Sequence, residues 1–370
     1  MDKTRLNRED SHRVAPLNLT PYPMNLRCCV SLLALALAGC ATNPNAPAPL
    51  TPVESTPPVA VPIANPRGIA VDNAGDLFIA DTTNATVIKV ARDGPQTVWG
   101  GDNSTVHFSG TCAVAVDQAG NVFVADTDNN RVAKITPAGE ISIVAGSADA
   151  SGDTDGPGAT ARFNDPTGIA VDTAGNLYVS DDSNGVVRKI APDGTVSTLA
   201  GQSGQHGDTD GTGTSARFNG PRGIAVDGAG NVYVADENSS DIRKITPAGV
   251  VTTVAGVSGK TGSADGPGAT ATFNAPRALA VDASGTIYVA DTDSATIRKI
   301  APDGTVSTLA GQAGQTGTQN GTGAAALFNG PRGITTDAAG NIYVADSENN
   351  LIRKITPDGN VTTFAVPMGQ

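Results

Sequence analysis

Two sets of charged residues recur along this chain at positions where several of them could bind one ligand. Four arginines each precede a short aliphatic run, and six aspartates each end another. The arginines are Arg67, Arg222, Arg277 and Arg332. The aspartates are Asp81, Asp126, Asp181, Asp236, Asp291 and Asp346. Guanidinium groups hold carboxylates and other oxyanions through paired, charge-assisted hydrogen bonds. If the fold gathers these residues, we expect a polar funnel that binds a small anion or a peptide carboxylate.

The same residues also have a structural interpretation. Arginine–aspartate pairs and Asx turns would satisfy the backbone of the loops without any ligand. The aspartates occur in every repeat unit described below, which favours the structural role for them. The arginines are missing from two units, which favours a ligand-binding role for those that are present.

Calcium binding is a second candidate chemistry, at Asp153 and Asp155 and again at Asp208 and Asp210. Each pair belongs to an Asp-Thr-Asp-Gly run that resembles the start of a calcium loop. An EF-hand needs more alternating oxygen ligands and a closing glutamate, and neither follows here. The two later copies change to Ser-Ala-Asp-Gly and Thr-Gln-Asn-Gly. We therefore predict turns at these sites, with calcium as the minor alternative and no other cofactor.

Internal repeats are the elements that must position these residues. Six aspartates mark one point in each unit, with spacings of 45 residues once and 55 residues four times. They are Asp72, Asp117, Asp172, Asp227, Asp282 and Asp337. The third unit has short apolar runs at 168–171, 177–180, 186–190 and 196–200. Such runs between turn signals predict strands, so each unit is predicted to be a four-stranded antiparallel meander.

The turns and the strand composition support this interpretation. Asp172 and Gly175 bound the first turn, where aspartate accepts from the backbone and glycine takes a positive φ. The first strand alternates large and small residues, as expected near a crowded axis. Six meanders around one axis make an all-β, six-bladed β-propeller of four-stranded antiparallel blades.

The units resemble the NHL repeat family. The matching signature reads Pro-x-Gly-Ile-Ala-Val-Asp, Gly-Asn-x-Tyr-Val-Ala-Asp and Asn-x-x-Ile-Arg-Lys-Ile. The resemblance covers 66–370, which is the predicted propeller domain. The second unit departs from it, with Thr111-Cys112-Ala113 in place of Pro-Arg-Gly. Since the units run from strand one to strand four, we expect side-chain packing to close the ring, helped by 59–63.

Long insertions between units are predicted to gather with the arginines and second aspartates on one side, called the upper face. They cover 151–166, 204–221, 259–276 and 314–331. Each ends near a phenylalanine that we expect to plug a blade junction. These are Phe163, Phe218, Phe273 and Phe328. Because loops carry function more often than strands do, the upper face is the candidate binding face.

A metal-dependent propeller enzyme, lactonase- or lyase-like, is the alternative to a binding protein. The related propeller enzymes rely on histidine or glutamate near a metal. After the N-terminal segment only His107 and His206 remain, and a catalytic zinc site takes three protein ligands. The glutamates fall in turns or in the tether, and Cys112 is predicted to be a small buried residue. We therefore assign no catalytic residues and no metal ligands beyond the weak calcium candidates.

The N-terminal segment predicts export. Residues 28–38 form an apolar run of signal-peptide length, too short to span a bilayer. The run continues into Leu37-Ala38-Gly39-Cys40, which resembles the bacterial lipobox. That resemblance implies cleavage before Cys40 and lipid on its thiol. We assign 1–39 to a signal peptide, with Met24 as the alternative start, and 40–65 to a lipidated, Pro/Ala-rich tether.

The net charge of the chain limits the classes of partner that we expect it to bind. The formal net charge is −12, and an acidic body repels nucleic acid. Ala41 after the lipidated cysteine favours the outer membrane, facing the periplasm or the cell surface. We predict a monomeric, non-catalytic scaffold that binds a protein, peptide or glycan of the cell envelope.

Overall fold

The computed structural model describes residues 62–365, apart from 93–95, 102–105 and 149. The predicted signal peptide, the predicted lipid attachment at Cys40 and the predicted tether up to residue 61 lie outside this range. No helix in the described part is long and apolar enough to cross a membrane. The described strands form six separate antiparallel sheets, which are the six blades.

The blades follow one another in chain order. Blade 1 contains β1 (Pro66–Val71), β2 (Leu77–Asp81), β3 (Thr86–Val90) and β4 (Gln96–Gly100). Blade 2 contains β5 (Thr111–Val116), β6 (Val122–Asp126), β7 (Arg131–Ile135) and β8 (Ile141–Gly146). Blade 3 contains β9 (Gly156–Pro157), β10 (Pro166–Val171), β11 (Leu177–Asp181), β12 (Val186–Ile190) and β13 (Thr195–Gly201). Blade 4 contains β14 (Gly211–Thr212), β15 (Pro221–Val226), β16 (Val232–Asp236), β17 (Asp241–Ile245) and β18 (Val250–Ala255). Blade 5 contains β19 (Gly266–Pro267), β20 (Pro276–Val281), β21 (Ile287–Asp291), β22 (Thr296–Ile300) and β23 (Thr305–Ala310). Blade 6 contains β24 (Gly321–Thr322), β25 (Pro331–Thr336), β26 (Ile342–Asp346), β27 (Leu351–Ile355) and β28 (Asn360–Ala365). Short 3-10 turns cover Thr127–Asn129, Asp182–Asn184, Gly213–Ser215, Gly323–Ala325 and Ser347–Asn349.

The predicted six-bladed, all-β propeller is confirmed, and four of the blades contain one strand more than predicted. Blades 3 to 6 each carry a fifth strand of two residues, which comes from the insertion before the blade and pairs with its outermost strand. In blade 3, Gly156 pairs with Val196. The strict four-strand prediction is therefore wrong for these blades. A Gly-Pro or Gly-Thr pair has no apolar run, so nothing in its composition indicates a strand.

The predicted first turn of each unit is also confirmed. In blade 3 the N–H of Ala174 donates to Asp172 Oδ1 at 2.9 Å. The N–H of Gly175 donates to the Asp172 carbonyl at 3.0 Å, and Gly175 has φ of 82°. Glycine is required there because other residues rarely adopt that conformation.

Packing between blades closes the ring. One hydrophobic cluster fills each of the six junctions, including the junction between blade 6 and blade 1. In that closing cluster Ile63, Ile69 and Leu77 lie against Tyr343 and Ala345. In the described part no strand is exchanged between the two blades. Closure by side chains follows the prediction, and of the segment 59–63 only Ile63 can be placed in it, since 59–61 lie outside the described residues.

The first strands press closely together around the axis. A Cβ atom added to Gly168 would lie 2.0 Å from the Arg222 carbonyl oxygen, and one added to Gly333 would lie 2.1 Å from that of Arg67. Neighbouring first strands therefore meet backbone to backbone at this level. This contact holds the residue before each glycine at the channel mouth.

Candidate functional site

The second residue of every first strand lines one cavity at the upper mouth of the axial channel. The cavity has a volume of about 280 Å³. Its lining residues are Arg67, Cys112, Thr167, Arg222, Arg277 and Arg332. We call this cavity the arginine pocket. The fold therefore brings together all four arginines that the sequence singles out, one each from blades 1, 4, 5 and 6.

Below the arginine pocket the channel becomes apolar. Six aliphatic side chains, one from each first strand, line its waist. They are Ile69, Val114, Ile169, Ile224, Leu279 and Ile334. A charged group is therefore favoured at the mouth and disfavoured below it, because burying an unpaired charge among aliphatic groups is costly.

Two acidic side chains neutralise one side of the pocket. Glu237 is 8% exposed and lies between two arginines. Arg277 Nε donates to Glu237 Oε1 at 2.8 Å, and Arg222 Nε contacts the other carboxylate oxygen. Asp182 Oδ2 lies 3.5 Å from Arg222 Nη2. Arg222 and Arg277 are thus held by carboxylates from blades 3 and 4.

The other side of the pocket is less neutralised. Arg332 pairs with Glu348 at 2.7 Å, but the Glu348 side chain is about half exposed. Arg67 has no carboxylate partner among the described residues, and its Nη1 reaches only Cys112 Sγ at 3.5 Å. The Nε atoms of Arg67 and Arg332 are buried and have no hydrogen-bond acceptor in the described part. The positive charge that acidic side chains offset least therefore lies where blade 6 meets blade 1.

The pKa values reflect this crowding. Burial raises the pKa of Asp182 to about 6, although Arg222 opposes the shift. Burial also lowers the pKa of Arg332, and repulsion from Arg277 and Arg67 lowers it further. Like charges thus repel one another across the pocket, and a bound anion would relieve that repulsion.

Cys112 is less buried than predicted, since a small buried residue was expected there. It is half-buried and lies in the wall of the arginine pocket. Its position corresponds to that of the arginines in four other units, so the aligned repeats could have predicted that it lies at the pocket.

The six second aspartates do not line the arginine pocket. All of them are fully buried. In blade 3, Asp181 Oδ1 accepts from the backbone N–H of Asn164 at 2.7 Å, and Asp181 Oδ2 accepts from Arg188 Nη1 at 2.8 Å. The corresponding aspartates accept from loop N–H groups in the same way, which is the structural role that the sequence left open. They are Asp81, Asp126, Asp236, Asp291 and Asp346.

The arginines that pair with these aspartates were not predicted from the sequence. Four blades place a fully buried arginine on the third strand, over the ring of an insertion phenylalanine at 5.1 to 5.3 Å. They are Arg188, Arg243, Arg298 and Arg353. The matching phenylalanines are fully buried at blade junctions, as predicted. The Arg-Lys-Ile run was the available signal, since it occurs only in blades that have an insertion.

Two of the four weak calcium candidates pair with the same buried arginines. Asp155 Oδ1 pairs with Arg188 Nη2 at 2.6 Å, and Asp210 pairs with Arg243 in the same way. Asp208 accepts from Ser258 Oγ, and Asp153 is exposed. Within the described ranges, no group of three or more histidine, cysteine or acidic residues is arranged to hold a metal ion.

Family models match three parts of the chain. The NHL repeat model matches 328–355, and the Teneurin NHL domain model matches 202–267. A third model, Alkaline phosphatase PhoX, matches 60–224. The repeat signature, the six blades and the two NHL matches agree. The chain is a member of the NHL repeat family.

Curated relatives of this NHL-repeat chain share single stretches with it. Teneurin-3 of Danio rerio is 30% identical over 54% of this chain and 8% of its own length. NHL repeat-containing protein 2 of Bos taurus is 32% identical over 37% of this chain and 21% of its own length. A chloroplastic protein of Arabidopsis thaliana, SUPPRESSOR OF QUENCHING 1, is 38% identical over 25% of this chain and 9% of its own length. The chain thus spans only about a tenth to a fifth of these relatives.

Solved structures show the same fold. An auxiliary nutrient binding protein from Bacteroides thetaiotaomicron superposes with a TM-score of 0.62 at 16% identity, over 82% of this chain and 70% of that one. A streptogramin B lyase superposes with a TM-score of 0.57 at 13% identity, over 84% and 86%. At such identities the likeness shows the propeller fold alone, and both binding proteins and lyases use it.

Proposed function

We propose that this NHL-repeat propeller is a non-catalytic binding scaffold whose arginine pocket holds an anionic group of its ligand. The observation that carries the proposal is the convergence of Arg67, Arg222, Arg277 and Arg332 on one cavity of about 280 Å³. Arginine forks bind carboxylates and phosphates bidentately. A scaffold role is also in keeping with the nutrient-binding proteins that share the fold.

The ligand that we propose is a protein, peptide or glycan of the bacterial cell envelope that presents a carboxylate or phosphate. The loops after the second strands, which bring Asp182, Glu237 and Glu348 to the pocket arginines, would contact the rest of it. The insertions, which were expected to gather around the arginines, lie farther out, because their two-residue strands pair with the outermost strand of each blade. The proposal includes a lipid anchor at Cys40, cleavage of 1–39 and a tether over 40–65. It also includes a monomeric propeller at the outer membrane.

Calorimetric titration tests the pocket. Peptides with a free carboxyl terminus and the same peptides amidated would be titrated into the purified propeller. We expect binding of the free form, and loss of at least tenfold in affinity when Arg222, Arg277 and Arg332 are all replaced by alanine. Lys260→Ala is the control, because Lys260 is an exposed cation on an insertion outside the pocket. The proposal would be contradicted if free and amidated peptides bound with equal affinity and no other oxyanion bound.

An enzyme remains the second candidate, because the Alkaline phosphatase PhoX model matches 60–224. A pocket that binds oxyanions could also bind a phosphate ester. A chromogenic phosphate monoester and a lactone, each with calcium, zinc or manganese added, would test this activity. Turnover that needs the metal and disappears in Arg67→Gln would replace the scaffold proposal with a catalytic one.

A further inference from the structure

We infer that an oxyanion in the arginine pocket bridges Arg67 of blade 1 and Arg332 of blade 6, and so fastens the ring at the junction where it closes. We call this junction the seam. The inference rests on the proposed function, since it requires that the pocket binds an anion. It adds that the ligand controls the stability of one particular blade junction.

The seam is the junction held together without chain continuity. At the other five junctions the chain passes directly from one blade to the next, whereas blades 6 and 1 meet only through noncovalent contacts. The N–H of Asn65 donates to Asn350 Oδ1 at 2.7 Å, and Arg332 Nη1 donates to Asn65 Oδ1 at 3.1 Å. Ser347 Oγ donates to the Pro66 carbonyl. Local opening is therefore expected to begin here rather than at a covalently connected junction.

The least neutralised arginines of the pocket lie on both sides of the seam. Arg67 lacks a carboxylate partner among the described residues, and Glu348, which pairs with Arg332, is about half exposed to solvent. The opposite side is occupied, because Glu237 already holds Arg222 and Arg277. An incoming anion is thus directed toward the seam, where its charge is least opposed.

The backbone holds these two guanidinium groups at the same level. A Cβ on Gly333 would lie 2.1 Å from the Arg67 carbonyl oxygen, so the strands that carry the two arginines are in direct contact. The two positive charges repel each other across this contact. An anion between them is attracted to both guanidinium groups, one on each blade, and these attractions offset the repulsion.

The ligand class follows from the donors. Two guanidinium groups on different strands require an anion with at least two acceptor oxygens, such as a carboxylate or a phosphate monoester. The apolar waist below the arginines excludes the charged group from the deeper channel. The anionic end of the ligand therefore stays at the mouth, in contact with both blades.

Hydrogen exchange measured by mass spectrometry tests the inference. Inorganic phosphate would be added to the purified propeller at constant ionic strength, and acetate would be tested in parallel. We expect slower exchange in the seam segments 62–71 and 342–352. If seam opening destroys the site, protection there rises about a hundredfold at a phosphate concentration 100 times Kd. The segments 166–171 and 221–226 at the junction of blades 3 and 4 serve as the internal control.

Variants separate the seam effect from general stabilisation. Arg67→Gln should abolish the extra protection at the seam, whereas Lys260→Gln should retain it. Phosphate binding with uniform protection, or with none, overturns the inference and leaves the scaffold proposal intact. Absence of binding by phosphate, acetate and carboxylate peptides in calorimetry overturns both.

Discussion

Glu237 and Arg277 form an ion pair across two blades, with Arg277 Nε donating to Glu237 Oε1 at 2.8 Å. Glu237 follows the second strand of blade 4, and Arg277 is the second residue of the first strand of blade 5. The same carboxylate contacts Arg222. One acidic side chain therefore limits how much positive charge two of the four arginines can offer to a ligand.

Replacing Glu237 by glutamine should strengthen anion binding. The change removes one negative charge that is next to two guanidinium groups in a partly desolvated pocket, where charge interactions are only partly screened. We expect sulfate to bind about three- to tenfold more tightly in calorimetry, with a larger gain at low ionic strength. Glu140→Gln, on an exposed turn between β7 and β8, is the matched control. Unchanged or weaker sulfate binding would show that Glu237 does not compete with the ligand.

Anion binding should also strengthen as the pH falls from 7 to 5. Burial raises the pKa of Asp182 from 3.8 to about 6, so the folded protein takes up a proton there in this range. Protonation removes a negative charge beside Arg222, and sulfate keeps its own charge across the same range. The raised pKa also makes folding stability depend on pH, in the direction opposite to that of a carboxylate whose pKa is lowered by an ion pair. The contribution of Asp182 is present at low pH and is lost as the pH rises through 6.

Two variants test whether Asp182 causes this pH dependence of sulfate binding. Asp182→Asn should flatten the increase in sulfate affinity, because no carboxylate remains to titrate. Asp165, Glu237 and His206 also act on Asp182 electrostatically. His206→Gln should retain the part of the increase that is due to Asp182, because the Asp182 carboxyl is unchanged in that variant. An affinity that does not change between pH 7 and pH 5 at constant ionic strength would be evidence against this mechanism.

Replacing Gly333 by alanine should destabilise the ring. The added Cβ would lie 2.1 Å from the Arg67 carbonyl oxygen, so the first strands of blades 6 and 1 must move apart. We expect a loss of about 1–3 kcal/mol in urea unfolding, the usual cost of overpacking. Gly228→Ala is the matched control, because nothing lies within 4 Å of the added atom. Equal stability of the two variants would mean that the first strands are not in close contact in solution.

The fold and the gathering of the arginines were predictable because both follow from repetition. Six aligned units define six blades, and equivalent positions must lie at equal distance from the axis. Arg67 and Arg332 are 265 residues apart in the chain, yet they occupy the same position in their units. Side chains at equivalent positions of the first strands can be placed from the alignment alone.

The acidic partners of the arginines were not predicted. At the end of a strand, neighbouring residues point in different directions, so the sequence did not show which acidic residue faces the arginines. Asp181 turns into the loop and is buried, whereas Asp182 turns toward Arg222. A signal was available. Hydroxyl residues occupy the position of Asp182 in four units, where they donate to a carbonyl of the next blade. They are Thr82, Thr127, Thr292 and Ser347. Acidic residues replace them only in blades 3 and 4.

Lipid attachment at Cys40 is the last prediction, and it concerns a part of the chain outside the described residues. The apolar run at 28–38, the Leu-Ala-Gly-Cys sequence and the Pro/Ala-rich segment after it together support the proposal. Two or more acyl chains hold a protein on a membrane far more firmly than one. In a bacterial host fed a fatty-acid analogue, we expect the wild-type protein to carry the label and to sediment with membranes. Cys40→Ser should lose the label, whereas Cys112→Ser should keep it, because Cys112 lies in the arginine pocket. An unlabelled wild-type protein recovered in the soluble fraction would rule out the anchor, and it would leave the propeller and its arginine pocket unaffected.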